Sequence, residues 1–519
     1  MLFRYIRVNM KDNDSFLRII DNKNPESITP KDMKQQISGI LDSYKLGNSH
    51  YDEVFKKTKE PKEHYQSIVE QFNQLSLSDF ERINNEVKTT FFNQGITFAV
   101  YSDDKKPDER IFPFDLFPRI IPNEEWMKLE KGVIQRNKAI NLFLDDIYHR
   151  KLILKDKVVP ADLIFSSKNY LKEMVDFTPE GKVYTHISGT DLIKHTDGEY
   201  YILEDNLRCP SGVSYVLSNR LALKKSLFDL FEKLKAKTVY QYPEQLLEIL
   251  KTVKPKNTDV PTVVVVTPGM YNSAYFEHSF LAQKMGVPLV EGRDLFVDKN
   301  FVYMKTIHGP IQVDVIYRRV DDEFLDPLCF RKDSMLGVPG LMNAYRAGNV
   351  TLANAPGTGV ADDKAVYNYV PDIIKYYLNE DPILNNVKTY HCEQELDMKY
   401  VLENIDKLVV KPVDESGGYG ITIGTTLTKD QIEEVKVRIK SNPRKYIAQP
   451  IMSLSVHATY IEETKEFEPR HIDLRTFCLM GKDTEYILKG GLTRVALKRG
   501  NLIVNSSQGG GSKDTWVLG

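Results

Sequence analysis

The sequence predicts a mixed α/β protein built from several domains, and three observations carry that expectation. Its 519 residues exceed what one compact core usually holds, at roughly 100–200 residues per domain. Between residues 261 and 354, short apolar runs such as VVVV alternate with helix-like stretches, the pattern of a small parallel sheet covered by helices. Elsewhere a β-hairpin pattern stands beside long stretches of helical spacing.

Residues 1–100 are polar and charged and read as a mostly helical cover. In YQSIVEQFNQLSLSDFERINN, residues 65–85, apolar side chains recur at three- and four-residue spacing. Ser78 and Asp79 are its candidate caps, with Glu81 in the first turn. Nothing in this cover points to chemistry of its own. A long helix is expected over residues 124–149, capped by Asn123 after Pro122, with Arg136 on its surface. Residues 181–206 read as two strands joined at Thr196-Asp197-Gly198. Helical spacing returns over residues 224–253, broken once at Pro243. The link KPKNTD then leads into the small α/β unit. The expected domains are 1–100, 101–253, 260–356 and 357–519.

Composition excludes several classes of function. Hydrophobic residues at 41% and charged residues at 27% fit a folded rather than a disordered chain. Seventy Lys and Arg against 72 Asp and Glu leave a net charge of −2. That balance removes the general electrostatic case for a nucleic-acid partner or an anionic membrane. No apolar run approaches the ~20 residues that span a bilayer, and charge interrupts the start before a secretory region forms. Cys209, Cys329, Cys392 and Cys478 lie far apart with no C-x-x-C pair, which argues against a disulfide framework or a zinc ribbon. A cytoplasmic protein acting on small molecules or peptides is the expectation.

Three clusters could carry chemistry. In KLVVKPVDESGGYGITIG, residues 407–424, Lys411 ends a strand and the loop Ser416-Gly417-Gly418-Tyr419-Gly420 follows. Glycines let backbone N–H groups surround a phosphate, and the lysine supplies a mobile charge; a plain hairpin turn is the competing reading. In GTDLIKHTDGEYYILEDNLRCPSG, Glu204 and Asn206 are two apart on one strand and share a face, with Asp191 across the hairpin. Two carboxylates and an amide oxygen suit Mg²⁺ bridging nucleotide phosphates, and Arg208 continues the face, suited to a substrate carboxylate or to developing phosphoryl charge. A solvated charged hairpin is the alternative. The third cluster, near the C-terminus, alternates Asp473, Arg475 and Arg494 with apolar residues and ends in NSSQGGGSKDTWV, which contains Asn505. Smaller signals are Asp362-Asp363-Lys364 at a helix start, with capping as the plain reading, and Gln449-Pro450 ending a strand. Arg318-Arg319 reads equally as a contact for an acidic substrate or as a strand-end ion-pair cluster. Arg119 adds a similar hint.

Taken in order, these pieces resemble the ATP-grasp superfamily with its order permuted. Lys364, Lys411 with its Gly loop, Gln449 and the Asn505 loop follow the usual sequence, whereas Asp191 and Glu204-Asp205-Asn206-Leu207-Arg208 come too early. Moving residues 112–220 behind Gly519 restores the order, as in a circular permutation. With FPFDLFPRIIP, LEDNLRCPSGVSYVLSNR, DVIYRRVDDEFLDP and NAPGTGVADDKAVYNYVPD, the chain is similar to the circularly permuted ATP-grasp type 2 family from about residue 66 onward.

The resemblance implies a circularly permuted ATP-grasp fold. Residues 101–253 then hold the permuted metal-motif part, 260–356 a small domain that precedes the core, and 357–519 the ATP-binding part. Lys364 and Lys411 are expected on nucleotide phosphates under the Ser416, Gly417, Gly418 and Gly420 loop, and Gln449 near the adenine edge. Asp191, Glu204 and Asn206 are expected on Mg²⁺, Arg208 on the reacting carboxylate, and Arg494 and Asn505 near the transferred phosphate. The departure is Gln449-Pro450, where many relatives carry a Glu. An ADP-forming ligase joining a small-molecule or peptide carboxylate to an amine through an acyl phosphate is the implied activity, with ATP and Mg²⁺ as cofactors. The alternatives are phosphoryl transfer without ligation, and a nucleotide-binding partner protein without turnover. Cys209, His186 and His471 lie near the clusters, yet no nucleophile–base pair is identifiable.

Overall fold

The computed structural model describes residues 39–46, 50–58, 60–101, 107–415, 420–498, 504 and 510–519. A nine-stranded sheet of these residues forms the centre. Its path runs Asn385–Asn386, Tyr200–Asn206, Ile187–Lys194, Glu466–Met480, Leu492–Val495, Gly511–Val517, Phe114–Ile121, with Val456–Ile461 and Glu485–Ile487 also pairing Glu466–Met480. The C-terminal strand Gly511–Val517 lies parallel to Phe114–Ile121, and the Ile187–Asn206 hairpin pairs Glu466–Met480. Residues far apart in sequence therefore share one sheet, as a circular permutation demands.

The helix Asn123–Tyr148 packs across this sheet. Trp126, Leu129, Val133, Ile140, Phe143, Leu144 and Ile147 recur at three- and four-residue spacing and are all buried, each worth roughly 1.5–3 kcal/mol. Pro122 occupies its N-cap position, and the Asn123 side chain instead accepts from Lys237. Arg136, expected on the surface, is buried: it bonds both oxygens of Asp205 at 2.8–2.9 Å and Asn386 at 2.9 Å. The helix lies over the face of Tyr200–Asn206 opposite Glu204, so Asp205 points at it and needs a cation.

A second sheet, antiparallel, runs Tyr390–His391, Tyr446–Pro450, Leu408–Pro412, Thr422–Ile423. Helices Glu395–Glu403 and Lys429–Ser441 back it, burying Val401, Val435 and Ile439 against Leu408 and Val410. The small α/β unit has the parallel order Thr351–Ala353, Val315–Arg318, Val263–Val266, Leu289–Val290. It also carries an unexpected antiparallel sheet of Leu295–Asp298, Phe301–Met304 and Ile311–Val313.

Local expectations need three corrections. Residues 1–38 of the expected cover lie outside the described residues; the rest holds helices Gln66–Phe72 and Leu77–Asn93, but also the strand pair Phe55–Lys57 with Glu60–Pro61, and its closing strand Thr97–Tyr101 pairs with Pro107–Ile111 beyond it. Ser76, rather than Ser78, caps the second helix by accepting from the Asp79 N–H at 3.1 Å. Pro243 starts the helix Tyr242–Thr252, where its missing N–H is harmless; the breaks fall at Leu227 and over residues 235–241.

Candidate active site

Directly opposed residues of antiparallel strands share a face. The register opposes Asp191 to Glu204 on one side and to Arg475 on the other, and Asp473 to Arg494. Four adjacent strands thus present Glu204, Asp191, Arg475, Asp473 and Arg494 on one face of the central sheet. Arg475 grips Asp191 with two bonds at 2.6 and 2.8 Å, and Arg494 reaches the same carboxylate at 2.8 Å. Arg494 also bonds Asp473 at 2.9 and 3.1 Å. Burial alone would raise Asp191, but Arg475 and Arg494 outweigh it and hold the carboxyl well below its usual range. Burial pushes Asp473 up, with Arg494 only partly offsetting it.

A cavity lies between this face and the second sheet, with about 920 Å³ of empty space when the adjoining open solvent is included. Its apolar walls, among them Leu203, Val409, Ile423 and Met452, suit a flat base, and its polar end gathers Asp191, Glu204, Lys364, Lys411, Asp473 and Arg494. Lys364 begins a helix capped by Asp363, whose side chain accepts from the Ala365 N–H at 2.8 Å. The Lys364 Nζ stands 3.3 Å from Glu204 and donates to the Glu415 carbonyl at 2.6 Å. Lys411 and Gln449 sit on paired strands, and Lys411 donates to the Gln449 Oε1 at 2.6 Å. Burial lowers Lys411 to about 8 against the pull of Glu204. The Gln449 Nε2 donates to Thr389 at 2.9 Å, so both ends of its amide are engaged within the protein.

Arg208 stands apart from this cavity, in an adjoining smaller cleft shared with Asn206. The cleft meets the larger cavity at Glu204, Lys364 and Glu415. Arg208 is paired with Asp362 at 2.6 Å. Gly420 turns with φ +70°, and a Cβ there would stand 2.8 Å from Pro412. Ser416, Gly417, Gly418 and Asn505 lie outside the described residues.

For Mg²⁺, Glu204 and Asn206 offer hard oxygens two residues apart, with Asp191 opposite Glu204. Asn206 commits its Nδ2 to the Gly189 carbonyl at 3.2 Å, leaving the amide oxygen as an acceptor. Among the described residues no three His, Cys, Asp or Glu stand grouped as a metal cage. A set of two carboxylates and an amide, completed by substrate phosphates, is the kind Mg²⁺ takes. The residues fit the ion.

The hints of an anionic substrate at Arg318, Arg319 and Arg119 resolve into internal ion pairs. Arg318 meets the carbonyls of Asn354, Val320 and Ala355 and pairs with Asp322 at 2.6 Å. Arg319 pairs with Glu277 at 3.2 Å, and Arg119 with Glu53 at 2.6 Å. Burial raises the Cys209 thiol and lowers His186 to about 3, which suits neither to nucleophilic or base catalysis.

The family model for circularly permuted ATP-grasp type 2 proteins matches residues 118–496. The chain belongs to that family. A relative in Synechocystis sp., itself uncharacterized, is 51% identical over 478 residues, covering 92% of this chain and 98% of that one. A Frankia casuarinae protein with a provisional glutamate–cysteine ligase name is 39% identical over 470 residues, covering 90% of this chain and 53% of that protein. Among solved structures, a glutathione synthetase-like effector of Globodera pallida shares the fold. It has a TM-score of 0.55 at 10% identity, with 86% of this chain and 98% of that one covered.

The places of Asp473 and Arg475 in this candidate site were not assigned from sequence, although both were visible as charges alternating with apolar residues. Their partner strand could have given them away, since Arg475 lies opposite Asp191; strand neighbours 284 residues apart are not readable from one sequence.

Proposed function

We propose that this protein is an ATP-dependent carboxylate–amine ligase that forms ADP. The observation that carries the reading is the cavity between the two sheets, which joins an apolar slot to an end holding Lys364, Lys411, Glu204, Asp191 and Arg494. A substrate carboxylate attacks the γ-phosphorus of ATP, releasing ADP and leaving an acyl phosphate. An amine then attacks the acyl carbon and expels inorganic phosphate, losing a proton as the amide forms. Glu204, Asn206 and Asp191 would hold Mg²⁺, which when bound would neutralise phosphate charge.

The chain's own residues supply position and charge. Lys364 and Lys411 draw the phosphates to the polar end, each exchanging a protein acceptor for a phosphate oxygen. Arg494 lies where charge accumulates on the transferred group, and Asp473 fixes its orientation. Arg208 reaches the reacting carboxylate from the adjoining cleft, which requires Asp362 to share it. The apolar slot excludes water from the base end and strengthens each of these interactions. The name of the Frankia relative concerns a carboxylate and an amine and bears on the class of reaction only, since nearly half of that protein lies outside the match.

The test incubates the protein with Mg-ATP, a fractionated metabolite and peptide extract, and hydroxylamine. ADP together with a new hydroxamate is expected, and the mass of the hydroxamate identifies the carboxylate. AMP with pyrophosphate would mean adenylation and would overturn the reading.

A further inference from the structure

We infer that Glu277 and Arg319, both in the small α/β unit, are positioning residues for the magnesium-binding motif; this rests on the proposed metal role of Glu204 and Asn206. The strand order of the small sheet reverses between Val263–Val266 and Val315–Arg318, because the chain passes from the first to Leu289–Val290 on one side and returns to the second on the other. In open parallel sheets, the crevice at the carboxyl ends of such a pair is where a ligand usually enters. Here the chain itself enters it, with the loop that leaves the metal motif.

Arg319, the first residue beyond Val315–Arg318, donates to the Pro210 carbonyl at 2.7 Å and to the Ser211 hydroxyl. Glu277, in the first turn of Tyr275–Met285, accepts from the Gly212 N–H at 2.7 Å and from the Ser214 N–H and hydroxyl at 3.1 and 2.9 Å. The two side chains pair at 3.2 Å and are 1% and 0% exposed. The Ser211 carbonyl in turn accepts from Arg475 at 3.1 Å, and Arg475 holds Asp191. The grip therefore reaches the motif from both ends: along the backbone to Asn206, and through Arg475 to Asp191 opposite Glu204. A loop that needed only anchoring could be held by apolar contacts; a desolvated ion pair spent on its backbone groups fixes one geometry.

ATP binding to the full-length protein, measured by calorimetry in EDTA and in saturating Mg²⁺, separates positioning from general damage. Glu277→Gln with Arg319→Met leaves no buried charge alone, and Ser211→Ala is a milder variant that removes a single acceptor. The Mg²⁺-dependent gain in ATP affinity should fall about 10- to 100-fold in the double variant and by less in Ser211→Ala, with affinity in EDTA unchanged. An undiminished gain overturns the inference, as does an equal loss in EDTA, which would mark simple loosening. Should the double variant not fold, Ser211→Ala decides: a reduced gain supports the inference and a wild-type gain overturns it. Glu204→Gln is the reference. If it keeps the full Mg²⁺ gain, the metal reading fails and takes the inference with it. If it loses the gain while the clamp variants keep it, only the inference fails.

Discussion

Two arginine pairs stand at strands of this molecule among acidic residues, and the structure gives them opposite fates. Arg318 and Arg319 are sealed: all their donors except the buried Arg319 Nε are taken by backbone carbonyls, a tyrosine, a serine and the acids Asp322 and Glu277. Arg475 and Arg494 spend most of theirs on two carboxylates, and Asp191, Asp473 and Arg494 line an open cavity. A guanidinium held by fixed carbonyls cannot exchange partners without breaking the fold. One held by a carboxylate that also faces a cavity can, because an arriving anion or cation replaces what is lost. Proximity of opposite charges thus does not mark a functional cluster; what lies open beyond the pair does.

The largest expected effect belongs to the sealed pair. Arg318→Met strands Asp322 and three carbonyls, and loss of one partner of a buried ion pair costs about 3–5 kcal/mol. Denaturant unfolding should register this as a lowered midpoint, while the folded fraction binds ATP in EDTA as the wild type does. An unchanged midpoint would break the distinction from one side. Next comes the open pair. Arg494→Met should lower the rate of hydroxamate formation by about 10²–10³, the usual loss for one charge-stabilising donor. Arg494→Lys should recover little of it, since a point charge cannot span Asp191 and Asp473 as the guanidinium does. A fully active Arg494→Met would mean that this cluster is as structural as the other.

The fold class and the family were legible because both live in local signals. The hairpin at Gly198, the strand–helix alternation after residue 261 and the order of the site motifs are all properties of short stretches. The acids of the site were legible for the same reason, since Glu204 and Asn206 need only the two-residue period of a strand. What was not legible depends on which strand lies beside which. Arg136 reads as a surface residue until Asp205 is known to lie beneath its helix. Arg119 hints at an anionic substrate, and Arg318 reads equally as a substrate contact or an ion-pair member, until Glu53 and Asp322 are seen to have taken them. Asp473 and Arg475 become part of the site only through their registers with Arg494 and Asp191.

The smallest effect sharpens the comparison most, because it asks whether a charge at the open site is free to change partner. Within the described residues Lys411 donates to Gln449, a neutral acceptor. Burial lowers this lysine to about 8, with Lys364 acting in the same direction and Glu204 and Asp191 opposing. Phosphate favours the charged lysine, so binding ATP draws a proton onto Lys411 once the pH exceeds about 8. Affinity in EDTA should therefore be highest below that pH and fall by about tenfold from pH 7 to pH 9, the change in charged fraction for a group with that midpoint. Stability of the nucleotide-free protein should move the other way. The unfolded lysine keeps its proton up to its ordinary value of 10.5, so between about 8 and 10.5 the unfolded state binds more protons and this group's contribution to stability rises with pH. Lys411→Met should flatten both trends. Parallel falls in affinity and stability would instead place the titration in the fold at large, and Lys411 would then hold its internal partner as firmly as Arg318 holds Asp322.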